Sequence, residues 1–165
     1  MFTKSVIPFC FLLAISMLYP ESNAQVKKEV NWLSFDQLGD SLSARPKKVF
    51  IDFYTSWCIF CRKMDRVVFT KPEVVDLLNK EYYAVRMDAE TTDTIYFEGR
   101  PFVNLKAGKK RNAIHQMAEL LAQRNGQFVP PTMIILDPEF KVKQRYFEYM
   151  DSKKLLIALR KYLPR

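Results

Sequence analysis

The sequence of 165 residues predicts one α/β domain, built on a central mixed β-sheet flanked by helices. Three observations support this prediction. An apolar, β-prone run at residues 49–54 turns directly into a Cys-x-x-Cys pair that opens a helix. Strand and helix patterns then alternate, which is typical of parallel βα units. Two strands joined by an Asp-Pro-Glu turn, followed by an amphipathic helix, end the chain.

The first predicted elements lead up to the cysteine pair. Ser34 is placed to cap a helix that ends at residue 44, because apolar residues recur at helical spacing and Pro46 follows. Residues 48–54 are predicted to form a strand that is buried on both faces. The helix that starts at the cysteines is expected to end near Phe69.

The next elements form a second helix–strand unit. Thr70 is the predicted cap of a helix with Pro72 in its first turn, where proline is tolerated. Residues 82–88 read as a strand because they are mostly apolar and β-prone.

Residues 89–112 are predicted to contain a small hairpin, since two β-prone runs flank a turn at residues 98–101. Asn112 is the expected cap of a helix over residues 113–123, which the glycine in Asn125-Gly126 would end.

The last elements are two strands at residues 132–136 and 142–147, joined by a turn at residues 137–139. A helix over residues 152–162 closes the domain, because its leucines recur on one face.

Cys58 and Cys61 stand at the predicted helix start. The first turn of a helix has unpaired N–H groups and the positive end of the helix dipole, and both stabilise a thiolate. Because the thiolate is the nucleophile, Cys58 is the predicted attacking sulfur. Cys61 lies on the same helix face and is predicted to act as the resolving sulfur, closing a Cys58–Cys61 disulfide. This spacing indicates dithiol redox chemistry.

Asp52 interrupts the apolar strand before the cysteines. A buried carboxylate is destabilising unless it is hydrogen-bonded, and burial raises its pKa. The residue is therefore either a satisfied structural aspartate or a group that exchanges protons, and we favour the second interpretation.

These residues carry a family resemblance. The string Asp-Phe-Tyr-x-x-Trp-Cys-x-x-Cys-Arg-x-Met, which begins at Asp52, resembles the active-site segment of thioredoxin-fold proteins. The following Val-Phe-Thr-Lys-Pro-Glu-Val-Val resembles one branch more closely, namely the periplasmic C-terminal domain of the membrane thiol:disulfide interchange protein and related small exported proteins. The resemblance covers about residues 49–163. It implies a thioredoxin fold with an insertion at about residues 89–112, ahead of a cis-proline segment.

The resemblance also implies roles for individual residues. Asp52 would exchange a proton with Cys61, and Pro131 would be the cis proline that packs against the cysteine pair. Pro130 would present its backbone to a bound partner, yet a proline has no N–H to donate. Partner contacts are therefore expected from three side chains, Trp57, Ile59 and Phe60.

The N-terminal segment predicts export. A short basic start is followed by an apolar run at residues 6–18, which is too short for the ~20 residues of a membrane span. Small residues at 22–24 fit signal peptidase, so we expect a signal peptide over residues 1–24, cleaved after Ala24, and a mature domain over residues 25–165. Cys10 would leave with the signal peptide. The mature, periplasmic or secreted chain would then hold only the Cys-x-x-Cys pair, available for chemistry.

Other chemistries are less well supported by the residues. A net charge of +8 permits contact with anionic partners, but nucleic acid is not an expected partner of an exported protein. Zinc normally takes four ligands, whereas the mature chain offers two cysteines and one histidine, His115, which we expect to be structural or exposed. Arg62 stands where haem attachment needs a histidine. A copper carrier remains an alternative.

We therefore expect an exported thiol:disulfide oxidoreductase that acts on disulfide-bearing envelope proteins. Ile59 and Phe60 cannot become cations that stabilise the Cys58 thiolate, which favours a reductant over a strong oxidant. A membrane or soluble electron donor must restore the dithiol, and the resemblance implies a membrane electron conduit. We expect that no metal or organic cofactor is needed and that the protein is a monomer. The alternatives are a disulfide oxidase or isomerase, and a binding module or metallochaperone on the same fold.

Overall fold

The computed structural model describes residues 28–163, so the predicted signal peptide lies outside the described residues. The strands are β1 (Trp32–Leu33), β2 (Lys48–Tyr54), β3 (Tyr82–Asp88), β4 (Ile95–Phe97), β5 (Arg100–Phe102), β6 (Gln123–Arg124), β7 (Gln127–Phe128), β8 (Thr132–Leu136) and β9 (Val142–Tyr146). The helices are α1 (Phe35–Ala44), α2 (Ile59–Val67), α3 (Pro72–Glu81), α4 (Gln116–Leu121) and α5 (Ser152–Arg160). No helix in this part of the chain has the length and apolarity to cross a membrane.

The strand β2 lies at the centre of a five-stranded sheet with the order β1-β3-β2-β8-β9. It pairs in parallel with β3 and antiparallel with β8, so the predicted mixed sheet is confirmed. All residues of β2 except the two at its ends are buried. This follows from the helices that pack on both faces of the sheet.

Alternate residues of β2 face two separate hydrophobic clusters. Phe50 belongs to the cluster that includes residues of α2, α3 and α5. Ile51 and Phe53 belong to the opposite cluster, with residues of α1 and α4. By this alternation Asp52 shares the face of Phe50, which is the face that carries the cysteine helix α2.

The structure confirms the predicted start of α1 and corrects that of α3. Ser34 caps α1 in a capping box, in which its hydroxyl accepts the N–H of Gln37 and the Gln37 side chain accepts the N–H of Ser34. Thr70 does not cap α3, because its hydroxyl donates to the carbonyl of Arg66 at the end of α2. The N-cap of α3 is Lys71, whose side chain makes no capping hydrogen bond.

The predicted hairpin in the insertion is confirmed as the pair β4–β5. The helix after it is shorter than predicted and begins at Gln116. Asn112 does not cap it, because its backbone has a φ of 53°, which lies in the left-handed region rather than at a helix start. His115 is the N-cap instead, and its Nδ1 accepts the N–H of Met117.

A second short hairpin was not predicted. Asn125 and Gly126 were expected only to end a helix, but both have positive φ, of 51° and 77°, and they form the turn between β6 and β7. An Asn-Gly pair is the preferred sequence for a two-residue hairpin turn of this kind. The helix therefore ends earlier, at Leu121.

Candidate functional site

The two cysteines form a disulfide at the N-terminus of α2, with their Cα atoms 5.3 Å apart. Both residues are buried apart from a few per cent of their surface. The predicted pairing of Cys58 with Cys61 is therefore observed. The strand β2 positions the pair, since the turn of Thr55, Ser56 and Trp57 connects its end to Cys58.

Cys58 occupies the N-cap of α2, as the helix argument requires. Its Sγ accepts the N–H of Cys61 at 3.0 Å. The hydrogen bonds of the helix start around it, because the Cys58 N–H donates to Thr55 and its carbonyl accepts from Arg62. A thiolate at this position would keep the same N–H donor and lie at the positive end of the helix dipole, and both effects lower a thiol pKa.

Asp52 is 2% exposed in the middle of β2. Burial raises the pKa of Asp52 to about 7, the nearby Arg86 guanidinium opposes this rise, and the Asp65 carboxylate adds to it. The side chain can therefore change its protonation state near neutral pH, which is the property that a proton-exchanging group needs.

Arg86 connects the buried carboxylate to the cysteine helix. It lies opposite Asp52 in the β2–β3 register, with Nε 3.4 Å from Oδ2 of Asp52. Its Nη2 pairs with Oδ1 of Asp65, which stands one helical turn after Cys61 on α2. The guanidinium also stacks on the ring of Tyr54, at 4.4 Å from its centroid. The position of Arg86 is thus held from three sides.

Three exposed apolar side chains form a rim at the cysteine pair, one directly before Cys58 and two between the cysteines. Trp57 is 51% exposed, Ile59 69% and Phe60 57%. The indole Nε1 of Trp57 donates to Glu90 Oε1 at 3.0 Å, which holds one edge of the ring toward the insertion. Apolar surface in this amount beside a reactive pair is suited to contact with a protein partner.

The segment before β8 completes the site. The peptide bond between Pro130 and Pro131 is cis, as predicted. Pro131 is buried, and β8 starts directly after it, with Thr132 opposite Phe53 near the end of β2. The hydroxyl of Thr132 donates to the carbonyl of Val129, and this hydrogen bond spans the two prolines between them. This register brings the proline segment to the end of β2 from which the chain continues to Cys58.

Comparison with known proteins identifies the family. The model of the thioredoxin-like domain family matches residues 35–163, which include the strand β2, the cysteine pair and the cis-proline segment. The chain belongs to the thioredoxin-like domain family.

One curated relative of this thioredoxin-like domain is the thiol:disulfide interchange protein DsbD of Pseudomonas fluorescens. It is 37% identical over 49 residues, a match that spans 30% of this chain and 8% of that protein. The match thus concerns a small part of a much longer protein.

Solved structures support the fold. A thioredoxin from Thermus thermophilus has a TM-score of 0.56 at 20% identity, over 81% of this chain and 86% of that one. The reduced DsbD C-terminal domain of Neisseria meningitidis has a TM-score of 0.52 at 18% identity, over 78% and 98%. A disulphide isomerase from Xylella fastidiosa has a TM-score of 0.51 at 16% identity, over 90% and 98%. At these identities the likeness concerns the fold.

The thioredoxin-like domain thus brings together most of the residues that the sequence singled out, and it adds others. Arg86 and Asp65 were not predicted, although a cation inside the apolar strand β3 is a signal that it pairs with a buried carboxylate. His115 is buried and structural, with Nε2 within 3.2 Å of the carbonyls of Asp93 and Phe102. Among residues 28–163, no three His, Cys, Asp or Glu side chains gather as a metal-binding group.

Proposed function

We propose that this protein is an exported thiol:disulfide oxidoreductase that reduces disulfides in partner proteins through Cys58 and Cys61. The observation that carries the proposal is the position of Cys58 at the N-cap of α2, with the Cys61 N–H aimed at its sulfur. Residues 25–165 contain no further cysteine, so this pair is the only thiol chemistry available to the predicted mature chain.

The reaction proceeds by two exchanges. The Cys58 thiolate attacks one sulfur of the partner disulfide, so that a mixed disulfide forms and the other partner sulfur leaves as a thiolate. Cys61 then loses its proton and attacks the Cys58 sulfur. This step closes the Cys58–Cys61 disulfide and releases the second partner thiolate. The partner gains two electrons, and two protons restore its thiols.

Asp52 serves the second exchange in this proposal. Cys61 must lose a proton before it attacks, and a carboxylate with a pKa near 7 can accept one at neutral pH. The alternation along β2 supports this role, because Asp52 is directed toward the face of the sheet on which α2 packs. A water molecule can relay the proton if the two groups do not touch.

The direction of electron flow is a further part of the proposal. Ile59 and Phe60 lie between the cysteines and provide no cation to favour the thiolate over the disulfide, which supports a reductant. A dithiol donor, membrane-bound or soluble, must then re-reduce the pair after each turnover. A measured reduction potential near that of thioredoxin, about −270 mV, is expected. A potential near −120 mV, which is typical of strong oxidants, would contradict this direction.

Two single variants test the chemistry, each serving as the control for the other. Cys58→Ser should abolish the reduction of insulin disulfides, because the remaining thiol, Cys61, is not at the N-cap of α2 and has no second thiol with which to complete the exchange. Cys61→Ser should instead accumulate mixed disulfides with partners, visible on non-reducing gels of envelope extracts. If Cys58→Ser traps partners and Cys61→Ser does not, the assignment of the two sulfurs is wrong. If both variants reduce insulin at the wild-type rate, the proposed activity is wrong.

Export is proposed from the N-terminal sequence. The expected mature chain starts at Gln25, and mass spectrometry of the protein from cell envelopes measures this directly. A recovered chain that retains residues 1–24 would contradict cleavage and favour an uncleaved anchor.

A further inference from the structure

A groove of about 470 Å³ opens beside the cysteine pair. Trp57, which directly precedes Cys58, and Pro130, in the cis-proline segment before β8, both line it. Its other walls come from the β6–β7 hairpin, from α4 and from the end of the insertion. The groove is therefore built mainly by segments that lie outside the cysteine helix, and it adjoins the site where a partner disulfide must dock.

Basic residues of the insertion line this groove. The sequence has a basic cluster at Lys106, Lys109, Lys110 and Arg111, and three of its members are in the groove wall. Lys106 is neutralised by Glu119, at 2.9 Å. Among residues 28–163, Lys110 and Arg111 form no ion pair.

The groove wall also has two carboxylates, which its three cations outnumber. Glu119 pairs with Lys106, whereas Glu90 accepts a hydrogen bond from the neutral Trp57 indole and keeps its charge. The charges of Lys110 and Arg111 therefore remain available to a ligand. A groove with two such cations next to an apolar rim is complementary to an extended peptide that has acidic side chains near an apolar stretch.

The anchoring of the insertion makes this a defined surface. The Asn104 side chain donates to the carbonyls of Thr91 and Ala113, so that it ties together the two ends of the segment that carries the basic cluster. The ring of His115 contacts the carbonyls of Asp93 and Phe102. These contacts hold the backbone of the segment that carries the basic residues. A segment that is already ordered loses less conformational entropy when a partner binds.

We propose that this groove selects partners whose redox cysteine is flanked by aspartate or glutamate, and that Lys110 and Arg111 are its specificity-determining residues. The inference rests on the proposed function and adds the class of substrate to it. The acidic flank of the partner lies along Lys110 and Arg111, while its cysteine reaches Cys58 past Trp57. The insertion, which carries Lys110 and Arg111, then determines the partner specificity of the protein.

The test uses three peptides, each a symmetric disulfide-linked dimer around one cysteine. Their flanking residues are aspartates, the neutral isosteres asparagines, or lysines. A catalytic amount of the protein is mixed with each dimer and with dithiothreitol, which re-reduces the cysteine pair, and the peptide thiol formed above the rate with dithiothreitol alone is measured over time. We expect kcat/KM to be higher for the aspartate dimer than for the asparagine dimer by about three- to thirty-fold, chiefly through KM. This preference should shrink as salt is raised, because exposed charges are screened.

A charge-reversal variant with a matched control locates the effect. Lys110→Glu combined with Arg111→Glu should remove the preference for the aspartate dimer or invert it. Lys71→Glu combined with Lys153→Glu changes the net charge equally at exposed positions outside the groove wall, and it should keep the preference. Reduction of the small neutral 2-hydroxyethyl disulfide should be the same in all three proteins, because that substrate does not reach the groove.

The outcomes separate this inference from the proposed function. Equal kcat/KM for the three dimers in the wild-type protein, with normal reduction of 2-hydroxyethyl disulfide, would contradict selection of acidic partners by the groove. It would leave the proposed oxidoreductase activity unaffected. If no disulfide is reduced, binding is measured instead, with a Cys58→Ser, Cys61→Ser protein and peptides that carry serine for cysteine. Preferential binding of the aspartate peptide would then support partner selection by the groove, although the proposed oxidoreductase activity would be wrong. Equal binding of the peptides would contradict both proposals.

Discussion

Nε of Arg86 lies 3.4 Å from Oδ2 of Asp52, while Nη2 of the same guanidinium pairs with Asp65 on the cysteine helix. One cation thus stands between two carboxylates, one of them buried in the centre of the sheet. Burial has the largest effect on the pKa of Asp52 and raises it. The charge of Arg86 lowers this pKa, and the charge of Asp65 raises it further. The protonation of Asp52 is therefore coupled to residues on both β3 and α2.

Substitutions of the two neighbours should shift the pKa of Asp52 in opposite directions. Arg86→Gln removes a nearby positive charge and should raise it, whereas Asp65→Asn removes a negative charge and should lower it. The ¹³C chemical shift of the Asp52 carboxyl carbon, followed against pH in the oxidised protein, measures both. Shifts of the same sign in the two variants would show that the ion pairs do not govern Asp52.

Asp52→Asn should stabilise the protein above neutral pH. A carboxyl group whose pKa is raised on folding binds protons more tightly in the folded state, so its contribution to the free energy of unfolding falls as pH rises from about 4 to about 7. The asparagine variant has no carboxyl group and does not lose stability in this way. Its free energy of unfolding should therefore exceed that of the wild type by an amount that grows over this pH range to at most about 4 kcal/mol. Urea unfolding at several pH values tests this.

Asp40→Asn is the control for that experiment, since it removes one exposed carboxylate from α1. Its unfolding free energy should follow the wild-type dependence on pH.

The same Asp52→Asn protein should also reduce disulfides more slowly, because general acid–base assistance is commonly worth ~10²- to 10⁴-fold and less where solvent substitutes. Rates equal to wild type from mildly acidic to neutral pH would make Asp52 a structural residue only.

Pro130→Ala should strengthen partner binding. A proline at this position gives a docked partner strand no N–H, and alanine restores one donor. One recovered hydrogen bond is worth about 0.5–1.5 kcal/mol, so KM for a peptide disulfide should fall by up to about tenfold. Pro138→Ala, in the turn between β8 and β9, controls for the loss of a proline and should leave KM unchanged. An unaltered KM in Pro130→Ala would mean that partners do not pair with this backbone.

His115→Ala should destabilise the fold and alter its response to acid. The ring caps α4 through Nδ1, and Nε2 contacts two carbonyls of the insertion. Loss of the cap and of a buried donor should lower the free energy of unfolding by about 1–3 kcal/mol. Burial lowers the pKa of His115 in the folded protein, so its stabilising contribution is present at neutral pH and is lost as pH falls below about 6.5.

The variant and wild-type unfolding curves, compared at pH 7.5 and 5, measure this contribution. The difference between them should be smaller at the lower pH. A constant difference would show that His115 does not take up its proton on unfolding. His115→Gln, which keeps a polar side chain of similar length, should retain part of the stability if the carbonyl contacts dominate over the cap.

Local signals in the sequence were sufficient for much of the fold and for the centre of the site. The length and β-propensity of the apolar runs identified β2, β3 and β8, because strands inside the sheet bury most of their residues. Ser34 was identified as a cap from its residue type and its place before a helical repeat, and the cap formed because its partner Gln37 lies within the same turn. The spacing of Cys58 and Cys61 was enough to expect a disulfide at a helix start, since the interaction is contained in one helical turn.

The errors have a common physical origin. Asn112 and Thr70 are good helix caps by residue type, but a cap needs its backbone in an extended conformation and its side chain free. Asn112 has the left-handed backbone of a turn, and Thr70 already donates to Arg66. His115 replaced Asn112 as the cap because contacts with Asp93 and Phe102, distant in sequence, fix its ring.

The sequence by itself determined the family of folds, the reactive pair and the buried carboxylate, because each depends on residues close together in the chain. Only the tertiary structure placed Arg86 between Asp52 and Asp65, since that contact requires the register of β2 with β3 and the packing of α2 on the sheet. The groove that exposes Lys110 and Arg111 beside Trp57 likewise exists only after the insertion and the β6–β7 hairpin are folded against the site. Electrostatic interactions act through space, so residue spacing along the chain does not reveal them.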